Sequence, residues 1–183
     1  MASRNAFLAF APSDDERHAL AAALTEASPG HPLPGRRVRP ENWHITLRFL
    51  GDVNDDVCDR VAAFIDEEMP ANPGRIACTG LGAFPRASKA GVVYASVDDP
   101  DRVLAALADI GEEAATAAGL DPEGRPFVPH LTLARLRPNL DVRPVLDAFG
   151  EFRVPMHIRR IALFRTEAVR GVVSYRPLHE FDL

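Results

Sequence analysis

Only two cysteines, Cys58 and Cys78, occur in the 183 residues. They are too few for a disulfide framework and lack the spacing of a metal site. Cys58 falls on a predicted helix face and Cys78 in a predicted strand, so both are expected as reduced, buried, small hydrophobes. No apolar run approaches the roughly 18 residues of a membrane helix, and no basic-then-apolar leader opens the chain. A cytoplasmic location with no membrane partner is therefore expected. Excess positive charge is also missing: the formal net charge is −5, so a polyanion would have to be met by a local patch. There is no glycine-rich loop ending in lysine that would activate a nucleotide, and Gly80-Leu81-Gly82 stands alone, which predicts a turn or bulge. Linkers and low-complexity segments are absent too. With 46% hydrophobic and 26% charged residues the composition is that of an ordinary globular protein, expected as one domain over 1–183.

What the chain does have is one phrase written twice: His44-Ile45-Thr46-Leu47 and His130-Leu131-Thr132-Leu133, at an interval close to half its length. On a strand, His and Thr at i and i+2 share one face while the apolar residues share the other. Two such strands across a cleft would present two imidazoles and two hydroxyls to a common pocket. An imidazole titrates near neutrality, so one copy can accept a proton while the other donates one. The hydroxyls can hold the nonbridging oxygens of a phosphodiester as its charge shifts. No cluster of His, Cys, Asp or Glu with ligand spacing accompanies the motifs, so metal-independent turnover is expected. Arg36, Arg37, Arg39 and Arg48 surround the first phrase, and Arg125, Arg135 and Arg137 the second. They are expected as a phosphate-attracting lining.

The rest of the pattern predicts an α+β fold. Residues 5–11 read as a buried strand, and Ser13 with Glu16 as a capping box opening a helix that stops at Pro29-Gly30. Residues 29–40 read as a loop, and 43–50 as the first motif strand. Asn54 or Asp55 caps a second helix ending at Pro70. Residues 75–83 and 91–98 read as antiparallel neighbours. Asp99 as N-cap and Pro100 at N1 open a third helix that closes at Gly119. The second motif strand, 130–136, precedes a short helix near 142–149 and three β-like runs at 152–158, 160–166 and 173–182. A helix flanks each motif on both sides, which predicts two similar antiparallel-sheet lobes, helices outside, with a central cleft. Trp43, Phe84, Phe127 and Tyr175 could stack a base, although core packing is the more ordinary use. His18, His31, His157 and His179 lack companion motifs and are expected as surface or structural residues.

Five stretches carry a family likeness: Phe7 to Phe10, Pro40 to Gly51 (PENWHITLRFLG), Gly82 to Pro85 (GAFP), Phe127 to Arg135 (FVPHLTLAR), and Gly171 to Leu183. On these the chain resembles the two-histidine phosphoesterases, specifically the bacterial and archaeal RNA 2′,3′-cyclic phosphodiesterases, historically called 2′-5′ RNA ligases. The resemblance implies a bilobal fold, no metal or organic cofactor, and RNA 3′ ends or cyclic nucleotides as substrate, with no obligate protein partner. It implies His44 as proton donor to the leaving 3′ oxygen, His130 as proton acceptor from water, and a 2′-phosphate product. The nearly equivalent motifs would exchange roles if the substrate bound the other way round. Thr46, Thr132 and Arg135 are implied to bind substrate. Strict alternation puts Arg135 on the face opposite His130, so its role requires the strand to end or bulge near Ala134. Arg48, four residues from His44, needs no such irregularity. The family often has an acidic or small polar pair where this chain has Arg165-Thr166, a departure that bears on substrate preference. The same histidines could instead join RNA ends by the reverse reaction, or the cleft could serve a noncatalytic nucleotide-binding module.

Overall fold

The computed structural model describes residues 5–28, 30, 32–70, 72–169 and 171–183. In chain order its elements are β1 (Asn5–Phe10), α1 (Asp14–Ala27), β2 (Arg36–Arg37), β3 (Ile45–Asp52), α2 (Asp55–Glu68), β4 (Gly74–Phe84), β5 (Ala90–Asp98), α3 (Val103–Ala117), β6 (His130–Leu140), α4 (Arg143–Ala148), β7 (Arg153–Ile158), β8 (Arg160–Val169) and β9 (Val172–Asp182). Short 3₁₀ turns at Pro40–Asn42 and Ala87–Lys89 lead into β3 and β5. The expected loop before the first motif contains a strand, β2, because Arg36 and Arg37 find free backbone groups on β6. Pro29 and His31 lie outside the described residues.

Local chemistry accounts for the helix ends. Ser13 and Glu16 form the expected capping box, and Asn54 accepts from Val57 N–H to cap α2. Gly119, at φ 92, closes α3 with its N–H donating to Thr116 and that of Leu120 to Ala115, the paired bonds of a Schellman end. The start of α3 corrects the expectation. Its N-cap is Arg102 in a left-handed conformation (φ 56), not Asp99. The Asp99 carboxylate still accepts from Val103, Leu104 and Ala105 N–H at 2.8–3.3 Å, so an acid three residues upstream satisfies donors that Arg102 cannot.

Among the described residues nine strands form one sheet, ordered β7-β4-β5-β6-β3-β1-β8-β9 with β2 beside β6, and their pairings are antiparallel. The result is α+β, a curled antiparallel sheet flanked by helices. Along that order β7, β4, β5 and β6 lie to one side of the β6–β3 contact and β3, β1, β8 and β9 to the other, with β2 added beside β6. That contact is a single pair, Ile45 with Leu131, so the motif strands touch at their equivalent apolar residues and part on either side.

Both motif strands are bulged at the same place. On β3, Thr46 pairs with Ala9 and Arg48 with Leu8, leaving Leu47 extra. On β6, Thr132 pairs with Tyr94 and Ala134 with Val93, leaving Leu133 extra. An extra residue reverses the alternation beyond it. Hence Ile45, Leu47 and Arg48 are buried while Phe49 is exposed, and Leu131, Leu133 and Ala134 are buried while Arg135 is exposed. The main core lies on the apolar side, where Leu8, Ile45, Leu131, Leu133, Leu104 and Leu107 meet. Cys58 and Cys78 are buried and unbridged, and burial pushes the Cys78 thiol up to about 12.

Candidate active site

The antiparallel pairing of Ile45 with Leu131 sets the site. One residue out from that pair, His44 lies across from Thr132 and Thr46 across from His130. The side chains at these positions point away from the main core, and the two imidazoles lie close enough for the charge of His130 to act on His44. The four residues of the duplicated phrase thus form one cluster on one face.

Each ring is held in the same way. His44 Nδ1 meets the Asn42 carbonyl at 2.8 Å, and His130 Nδ1 meets the Val128 carbonyl at 2.7 Å. A carbonyl can only accept, so Nδ1 carries the hydrogen in both rings and Nε2 is the atom left to take or give a proton. Aromatic rings fix the orientations. His44 packs on Phe7 (4.9 Å between centroids) and meets the Tyr175 ring at 4.9 Å and 78°. His130 meets Phe84 edge-on at 5.0 Å and Tyr94 at 5.3 Å, and those two stack on each other at 4.4 Å. Gly82 makes room for this: a Cβ there would overlap the Tyr94 ring. The bulge at Gly80, between Thr79 and Leu81, meets the expectation for the Gly-x-Gly.

The environments differ. His44 is pulled down to about 4, first by burial and further by the charges of Arg135 and His130, with the bond to Asn42 opposing. Its imidazole is therefore neutral at pH 7 in the free protein. The unfolded chain takes up a proton near pH 6.5 that the folded protein refuses, so this group's contribution to stability is present above 6.5 and is lost as pH falls towards 4. An NMR titration of the free protein should show the His44 ring titrating near pH 4. Adenosine 2′-phosphate should raise that midpoint by about 1–3 units, as an anion does to a nearby imidazole. A midpoint near 6.5 that ignores the nucleotide would contradict the enclosed site.

The bulge at Leu133 brings Arg135 to the histidine face, the irregularity that its expected role called for. Arg36 pairs directly with Arg135 across β2 and β6, and the charges of both reach Tyr175. Gly35, at φ 80, allows the approach, since a Cβ there would lie 2.6 Å from the Arg135 carbonyl oxygen. The remaining arginines depart from the expected lining. Arg48 is turned by the Leu47 bulge into the helix side, where it is 8% exposed. There it donates to the carbonyls of Phe49 and Asp121 at 2.6 Å. Its Nε lies 2.6 Å from Glu112, an ion pair without hydrogen-bond alignment. Arg37 and Arg39 line a different cavity, of about 580 Å³, between α1 and residues 32–40 on the side to which Leu133 points. Arg125 pairs with Glu123. Arg165 also faces the helices, meeting Asp55 at 3.1 Å and Cys58 at 3.2 Å.

The candidate aromatics divide. Trp43 is core, 6% exposed, with its Nε1 donating to the Val38 carbonyl, and Phe127 packs at the core edge. Phe84 and Tyr175 belong to the site. Phe7 and Tyr94 join them without having been singled out as base-stacking candidates, and Arg36 joins them as expected of the first motif's arginines. Tyr94 had a signal: it alternates with buried Val93 and Ala95. His18 and His157 are exposed, and His179 lies 3.3 Å from Asp59, away from the motifs.

A family profile described as the 2′-5′ RNA ligase superfamily matches residues 12–170. The RNA 2′,3′-cyclic phosphodiesterase of Aeropyrum pernix is 38% identical over 156 residues, 81% of this chain and 86% of that protein. That of Aquifex aeolicus is 33% identical over 157 residues, 82% of this chain and 83% of that protein. Among solved structures, Escherichia coli LigT complexed with 3′-AMP aligns at a TM-score of 0.81 and 23% identity, over 100% of this chain and 99% of that one. A crystal structure of a phosphoesterase aligns at 0.78 and 24% identity, over 99% and 98%. These structures share the fold.

Proposed function

This chain belongs to the 2′-5′ RNA ligase superfamily, and from that membership and the geometry of the two imidazoles we propose that it hydrolyses terminal 2′,3′-cyclic phosphates of RNA, or of small nucleotides, to 2′-phosphate ends. The observation that carries this reading is the matched pair of Nδ1-to-carbonyl bonds, which leaves two Nε2 atoms on one face. Relatives that match over four fifths of the chain are RNA 2′,3′-cyclic phosphodiesterases.

In the reaction, His130 takes a proton from water as its oxygen attacks phosphorus. The P–O3′ bond breaks, and His44 gives its proton to O3′. The assignment follows surroundings: both rings are half-buried, and His44, packed against Phe7 and Tyr175 with Arg135 nearby, is the one held well below the ordinary imidazole range. The entering phosphodiester supplies the negative charge that lets His44 take up a proton. Its low basicity then makes it a strong acid towards the leaving oxygen. Thr46 and Thr132 donate to the nonbridging oxygens, and Arg135, with Arg36 beside it, balances their charge.

The chain works as a single bilobal catalytic domain over 1–183. The four-plus-four strand order about the Ile45–Leu131 pair and the equivalent bulges support two similar lobes meeting at a central cleft. Two buried, unbridged thiols suit a cytoplasmic location. No helix among the described residues is long and apolar enough to cross a membrane.

The test is an RNA ending in a 2′,3′-cyclic phosphate, incubated with the protein and a chelator. Turnover at the untreated rate with a 2′-phosphate product is expected. Activity lost to the chelator and restored by a divalent ion would overturn metal-independent chemistry, and a 3′-phosphate product would overturn the direction of opening.

A further inference from the structure

The duplicated phrase presents the same four side chains from both strands, so the motifs alone do not orient a nucleotide. Their surroundings do. His44 adjoins a partly open pocket of about 110 Å³, walled by Phe7, Phe164 and Tyr175, with Arg17 and Glu41 also lining it. Phe7 stacks on Phe164 at 5.6 Å, and Tyr175 meets Phe7 edge-on at 5.1 Å, which makes a preformed apolar slot. Its polar members are free to engage a ligand. Arg17 Nε is buried without a hydrogen-bond partner among the described residues, while its Nη1 holds Asp14 at 2.9 Å. Glu41 is exposed, and among the described residues its one ion pair is with the exposed Arg39, at 3.3 Å, a surface pair that a better partner displaces easily.

In an in-line displacement the entering water and the departing oxygen lie on opposite sides of phosphorus. With His44 protonating O3′, the ribose bearing that oxygen lies on the His44 side, and its base lies towards the aromatic slot. We propose that this pocket is the subsite for the base of the terminal nucleotide, and that Arg17 and Glu41 make guanine its preferred occupant. Guanine has two adjacent donors, N1–H and the 2-amino group, which match the two oxygens of the Glu41 carboxylate. Its O6 accepts from a guanidinium. Adenine and cytosine offer one amino group on that edge and uracil one N–H, so each satisfies the carboxylate only in part.

The proposal rests on the hydrolase reading and on His44 as proton donor. Its test compares the four nucleoside 2′,3′-cyclic phosphates with ribose 2′,3′-cyclic phosphate, which has no base, for the parent and for Glu41→Gln. The guanosine compound should show a kcat/KM about 10-fold above the other nucleosides, the scale of one bidentate contact. Glu41→Gln should erase that advantage, mainly through KM, and leave the base-free compound within about twofold, because an exposed residue that touches only the base does not alter chemistry at phosphorus. Equal turnover of all four nucleosides, or a guanosine preference that survives Glu41→Gln, would overturn the subsite. If no compound is turned over, the hydrolase reading fails by itself. Calorimetry with guanosine 2′-phosphate and ribose 2-phosphate then decides the subsite: tighter binding of the guanosine compound, lost in Glu41→Gln, upholds it, and equal affinities overturn it.

Discussion

Replacing His44 or His130 with alanine should lower kcat/KM by about 10²–10⁴-fold, the usual contribution of a positioned acid or base, while the protein stays folded. The size follows from how each ring is held. Both imidazoles have one nitrogen committed to a backbone carbonyl and both are wedged between aromatic rings, so neither Nε2 has a substitute of similar basicity in the same place. The Thr and Arg side chains can still bind the phosphate, so KM should change less than kcat. The two variants should differ in pH response. The parent requires one neutral and one protonated imidazole, which gives a bell-shaped kcat/KM profile. His130→Ala should lose the acid limb, because the group whose protonation stops the reaction is gone. Near-parental turnover in either variant would sink two-histidine chemistry, and an acid limb that persists in His130→Ala but vanishes in His44→Ala would exchange the two roles.

Arg48→Ala should cost about 3 kcal/mol of stability, the scale for removing one partner from a largely buried ion pair. For a protein of this size that lowers Tm by about 6–12 °C. The change strands the Glu112 carboxylate and leaves the Phe49 and Asp121 carbonyls without their donor. Glu112 also accepts from Glu123 N–H, so the loss should loosen the link between β3, α3 and the segment that follows α3. Glu112 retains partial exposure, which holds the cost below that of a fully buried pair. The kcat/KM of the folded variant should stay within a few fold of the parent, because Arg48 lies on the opposite face from His44. Parental Tm with turnover reduced a hundredfold would place Arg48 in the cleft instead. The same pair of measurements on Arg135→Ala should give the reverse pattern, with turnover falling and Tm unchanged.

Those two arginines mark the boundary between what sequence and tertiary structure each determined. The helices were legible because their signals are local: the Ser13–Glu16 capping box, the Asn54 cap and the glycine at 119 act within a few residues of the ends they define. The candidate site was legible because a duplicated His-x-Thr puts an imidazole and a hydroxyl on one strand face wherever the strands later go. The reach of each arginine was not. Arg48, one position closer to its histidine than Arg135 is to His130, would face the cleft in an unbroken strand, and Arg135 would not. The bulges at Leu47 and Leu133 reverse both outcomes, and their register belongs to β1 and β5, strands far away in the chain. The short strand β2 follows the same rule, since it depends on backbone groups left open on β6. The sequence by itself determined which side chains are candidates for the proposed reaction and the faces they begin on. Only the assembled sheet decided which of their neighbours share that face, because side-chain direction along a strand is set by pairing with partners that the local sequence does not contain.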